Sequence, residues 1–117
     1  GFFFLLAQKR QEIEKIFMEN EIVTSAVVLY ELQKACLKGK IKNCSKLIET
    51  LKEATHIAKL DEKVAMEAAY IAHSTGMPGL DALILASLIE AGCRTIFTTD
   101  EHFTLYRKKG IKIVLLK

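Results

Sequence analysis

Three carboxylates stand where the surrounding pattern gives little reason for a charge: Glu31, Asp81 and Asp100. Glu31 falls among Val27, Val28, Leu32 and Ala35, on the apolar arc of a helical segment. An ionised carboxylate there must be paired, bound to a metal or turned into a cleft, because burying a bare charge is very costly. A surface-edge position or a salt bridge is the plainer alternative. Asp81 follows Pro78-Gly79 and shares a face with Ile84, Leu85 and Leu88, where N-capping of a helix would be explanation enough. Asp100 stands just past the strand-like run Thr95-Ile96-Phe97-Thr98. An Asp in such a turn commonly caps nearby amides, yet ligand sites of open α/β sheets also gather outside the carboxyl ends of the strands.

Singly, each acid has an ordinary explanation. Gathered at one sheet edge, they would repel and raise one another's pKa unless a divalent cation intervened. Oxygen donors from Asp and Glu suit Mg2+ or Mn2+. Such a cation can position and activate a water and stabilise the charge that develops on a phosphodiester.

The elements that must place these acids alternate between strand and helix. Residues 3 to 18 read as a helix, with Phe3, Leu6, Ala7, Ile13, Ile16 and Phe17 at helical spacing. Residues 21 to 25 are short and β-branched and read as a strand. It runs into a helix over 26–37, capped by Thr24 or Ser25 and closed by Gly39. A third helix is expected over 43–54, then a connector over 55–60 with a short extended piece. Asp61 caps a fourth helix whose buried stripe is Val64, Ala65, Ala68, Ala69 and Ala72. The breaker Ser74-Thr75-Gly76-Met77-Pro78-Gly79 precedes a fifth helix over 80–91. A buried strand over 95–98, a short helical or turn segment over 101–109 and a last strand over 111–116 complete the chain. The expected fold is α/β and helix-rich, a central, mainly parallel sheet flanked by helices.

A chain of 117 residues fits one domain, residues 1–117. Its 50% hydrophobic content supports a packed core rather than disorder. The net charge of +3 permits an anionic partner without arguing for one. Cys36, Cys44 and Cys93 form no CxxC pair and have no His at zinc-finger spacing, so neither a zinc site nor a disulfide framework is expected. An odd, scattered set of cysteines suits a reducing compartment. The apolar opening Gly1-Phe2-Phe3-Phe4-Leu5-Leu6-Ala7 is too short for a membrane span and lacks the basic flank of a signal peptide. A soluble cytoplasmic protein is therefore expected, with no membrane partner.

Tyr30-Glu31-Leu32 in a helix after a strand, then Asp81-Ala82-Leu83-Ile84-Leu85-Ala86, Ile96-Phe97-Thr98-Thr99-Asp100-Glu101-His102-Phe103 and Gly110-Ile111-Lys112-Ile113-Val114 follow one another along the chain. In order and spacing they resemble the PIN-domain family, which includes the toxin nucleases of bacterial and archaeal toxin–antitoxin pairs. The resemblance implies a Mg2+- or Mn2+-dependent endoribonuclease. Glu31, Asp81 and Asp100 would be three members of the family's acidic quartet and the metal ligands, and Thr98 the polar residue that often precedes the last acid. The family's first acid lies at the end of a first strand. That strand is read as missing from the given chain, with its Asp just upstream of Gly1. His102 departs from the family, which often has Asp before the Phe, and takes no role in this reading.

The resemblance further implies an RNA substrate and, for a toxin-type member, a cognate antitoxin and a homodimer. Arg94, Arg107, Lys108 and Lys109 are candidates for phosphate contact, a contribution that weakens with salt. His56 and His73 have no partner at a telling spacing and read as structural or surface residues. The rival reading is a PIN-like module that binds RNA or protein without cutting. A phospho-acceptor domain is a third, and the sequence gives it no support.

Overall fold

The computed structural model describes residues 22–116. The element order is β1 (Val23–Ser25), α1 (Ala26–Leu37), α2 (Cys44–Ala54), β2 (His56–Ala58), α3 (Glu62–Thr75), α4 (Gly79–Glu90), β3 (Thr95–Thr98), a 3-10 turn of helix (Glu101–Leu105) and β4 (Lys112–Leu115). The helix expected over 3–18 lies outside the described residues. All pairing is parallel: β1 with β2, in the register Val23–His56 to Ser25–Ala58, and β3 with β4, from Thr95–Lys112 to Thr98–Leu115. Among the described residues these are two separate two-stranded pairs, where one central sheet was expected. The α/β class and the parallel sense are as the alternation of strand and helix implied.

The helix α4 organises the core. Ala82, Leu85 and Ala86 are fully buried, and Ile84 and Ser87 nearly so. A helix that is apolar on almost every face belongs inside, with neighbours on all sides. It packs chiefly against α3 and also touches α1, β1 and the 3-10 turn. On α3 the buried face is Val64, Ala68 and Ile71, whereas Ala65 and Ala69 are exposed. The expected alanine stripe is thus rotated toward Ile71, because the larger side chain gains more from burial than a methyl group does. Ile96 from β3 and Phe103 from the 3-10 turn close the same core.

Helix ends follow local chemistry. Asp61 caps α3, its Oδ1 accepting from the Val64 amide at 3.0 Å. Gly76 ends α3 at φ 76°, a left-handed conformation that glycine adopts without a Cβ penalty. Ser25 caps α1, its Oγ accepting from the Val27 amide at 3.2 Å. The Ser25 and Ser87 hydroxyl oxygens lie 2.7 Å apart and hydrogen-bonded, both side chains buried. That contact fastens the β1–α1 junction to the middle of α4.

The cysteines depart from expectation. Cys36 near the end of α1 and Cys44 at the start of α2 are joined in a disulfide, with Cα atoms 5.7 Å apart. The turn between the two helices brings them together. The pairing is set by that reversal of the chain and has no signature in cysteine spacing. Cys93 is a free, half-buried thiol. No helix among the described residues is long and apolar enough to cross a membrane.

Candidate functional site

Three acids reach the site from three different elements. Glu31 lies in the second turn of α1, directly after β1, and is half-buried. Asp81 lies in the first turn of α4. The N-cap there is Pro78 and no side chain caps the helix, so N-capping does not account for Asp81. Its carboxylate instead sits at the positive end of the α4 dipole, which favours an anion. Asp100 follows β3 and does cap: its Oδ1 accepts from the His102 amide at 2.9 Å, opening the 3-10 turn. The Thr98 hydroxyl, buried at the end of β3, accepts from the Asp100 amide at 3.0 Å. Thr98 therefore acts on the site through the Asp100 backbone.

Asp81, Asp100 and His102 converge. One ligand atom from each lies within 4.8 Å of the other two. His102 Nδ1 is 3.0 Å from Asp100 Oδ1 and 3.4 Å from Asp81 Oδ2. The signal for His102 was in the sequence: a His two residues after a candidate ligand, in a tight turn, stays beside it.

The carboxylates feel one another. Burial pushes the Asp81 carboxyl up from the ordinary Asp value, and the adjacent Asp100 charge pushes it further; His102 pulls the other way. Burial likewise raises Glu31, and Asp100 adds to the rise. Glu31 in turn raises Asp81. Glu31 thus lies within the electrostatic reach of both Asp residues. An open groove of about 540 Å3, lined by Thr99, Asp100, Glu101, His102, Thr104 and Leu105, adjoins the cluster.

The basic residues are arranged differently from expectation. Arg94 precedes β3, and its carbonyl accepts from the Lys112 amide at 2.7 Å, at the start of β4. Arg94 therefore stands at the amino end of β3, about 13 Å along the strand from Thr98 at ~3.3 Å per residue, and Asp100 follows Thr98 at the other end. Lys108 and Lys109 lead into that same far edge. Lys34, one turn further along α1, lowers the Glu31 carboxyl slightly against the rise from burial. His56 and His73 are exposed.

The donor set fits a divalent cation. Two carboxylates at mutual ligand distance beside an imidazole, with Glu31 in their electrostatic reach, crowd negative charge that a cation would relieve. In a comparison with known families, the family model described as PIN domain matches residues 3–109. No curated protein matches the chain.

Proposed function

Because the chain belongs to the PIN-domain family, whose members are commonly nucleases and typically bind divalent metals, we propose that it is a metal-dependent endoribonuclease. The observation that carries the reading is the convergence of Asp81, Asp100 and His102, with Glu31 in their field. Asp81 and Asp100 would hold Mg2+ or Mn2+. Bound there, the cation would lower the pKa of a coordinated water and stabilise charge on the phosphate.

The chain's own residues supply position and polarity. The α4 amino terminus holds Asp81 against the groove, and Thr98 fixes the turn that presents Asp100. Glu31, its pKa raised by burial, is suited to accept a proton from an attacking water. Lys34, exposed on α1, can meet a backbone phosphate. The open groove beside Asp100 would admit a strand of RNA. An RNA substrate is therefore the first partner of this reading. A cognate antitoxin and a homodimer accompany it if the nuclease is of the toxin type, and the cytoplasm is where such an activity would meet its RNA.

The test uses the protein expressed at its full native length, with a fluorescent single-stranded RNA. Cleavage with Mn2+ or Mg2+, abolished by EDTA and lowered strongly by Asp81→Asn, Asp100→Asn and Glu31→Gln, supports the reading. Tight RNA binding without cleavage under any divalent metal would replace it with that of a binding module.

A further inference from the structure

We propose that His102 supplies a nitrogen ligand to the cation of this site, so that the centre favours first-row transition-metal dications, Mn2+ among them, over Mg2+. The inference rests on the cation site proposed above and deepens it.

The geometry carries it. Two ligands at right angles on an octahedral cation, each bond about 2.1 Å, stand about 3.0 Å apart. The His102 Nδ1 separations are 3.0 Å to Asp100 Oδ1 and 3.4 Å to Asp81 Oδ2. The ring nitrogen thus stands from Asp100 as a neighbouring ligand would, and a closing of about 0.4 Å brings Asp81 to the same separation. Its placement is built into the backbone. Asp100 caps the turn through the His102 amide, and buried Phe103, the next residue, anchors that turn in the core. The His102 side chain is 56% exposed, which leaves one side of the cluster open to water and to a phosphate.

The chemistry sets the selectivity. Mg2+ is a hard cation that takes oxygen ligands and holds its waters. Imidazole suits the softer first-row metals, and affinity for a mixed nitrogen and oxygen site rises from Mn2+ onward through the series. An oxygen-only set has no such bias. Replacing an oxygen donor by Nδ1 therefore weakens the claim of Mg2+ on the site.

The experiment measures metal binding to the full-length protein, by calorimetry with Mn2+ and with Mg2+ separately, and by pulsed EPR of bound Mn2+. Circular dichroism checks the folding of each variant. Wild type should bind Mn2+ more tightly than Mg2+ and show nitrogen hyperfine coupling. His102→Ala should lose that coupling and at least about tenfold of its Mn2+ affinity. His102→Asp should lose the coupling and bring the two metals closer in affinity. Unchanged coupling or unchanged Mn2+ affinity in folded His102→Ala overturns the proposal while leaving the cation site standing. Absence of Mn2+ binding to wild type, or binding untouched by Asp81→Asn and Asp100→Asn, overturns the site itself.

Discussion

Replacing Asp81 by Asn should make the metal-free protein more stable and the metal-saturated protein less so. The reason is the crowding of charge. The Asp81 and Asp100 ligand oxygens lie no more than 4.8 Å apart. At that separation two unit charges repel by about 0.9 kcal/mol in water-like surroundings and about 3.5 kcal/mol at an effective dielectric near 20. The groove is open, so the lower value is the better guide. Two effects oppose the gain: Asn forfeits the favourable α4 dipole, worth about 0.3–1 kcal/mol, and the contact with His102. Burial and the Asp100 charge raise the Asp81 carboxyl, and the opposing pull of His102 is the smaller. With solvent screening allowed for, a net gain of about 0.5 kcal/mol is expected, or a rise in Tm of about 2–4 °C. Wild type in Mn2+ at a hundredfold excess over Kd should gain about 2.7 kcal/mol, and Asp81→Asn should gain little. Thermal melts in EDTA and in Mn2+ measure both signs on one protein. A lower Tm for Asp81→Asn in EDTA, or an undiminished response to Mn2+, would refute this electrostatic argument.

Three further outcomes follow from the same structure. Ser87→Ala removes a buried hydroxyl hydrogen-bonded to Ser25 and should cost about 1–2 kcal/mol in urea unfolding, with a loss of Mn2+ affinity as α1 and α4 shift. Lowering the pH should release Mn2+. Glu31 and Asp81 are both raised above their ordinary values, so protons compete with the metal at a higher pH than for free carboxylates. In the metal-free protein the sign reverses: folded carboxyls hold protons more tightly than unfolded ones, so stability falls as pH rises from the ordinary carboxylate range through the raised pKa values. Finally, thiol titration of the unfolded, unreduced protein should find Cys93 free and Cys36–Cys44 unreactive. Reduction should lower stability by about 2.5 kcal/mol, as expected for a bridge spanning 8 residues in sequence.

Much of the architecture was legible in the sequence. The bounds of α1 follow from Ser25 and from the apolar spacing after it, and those of α4 from the breaker before it. Both coincide with the structure to within a residue or so. The three-residue β2 is too short to show an alternation, so it read only as a short extended piece within the connector over 55–60. The stripe on α3 was misplaced because alanine is as frequent on its exposed face as on its buried one. At the site, the carboxylates announce themselves by interrupting apolar or strand patterns. His102 interrupts no pattern, and its only signal is its place two residues after Asp100 in a tight turn. The Cys36–Cys44 bridge and the remote position of Arg94 depend on how the chain turns back on itself, which residue spacing does not encode.

The central claim, that these carboxylates share one cation, is tested most directly by anomalous diffraction from crystals of the full-length protein soaked in Mn2+. The account predicts a single strong peak within about 2.3 Å of oxygens from both Asp81 and Asp100, with Glu31 turned toward it. A peak elsewhere, or none at a Mn2+ concentration that supports RNA cleavage, would contradict it.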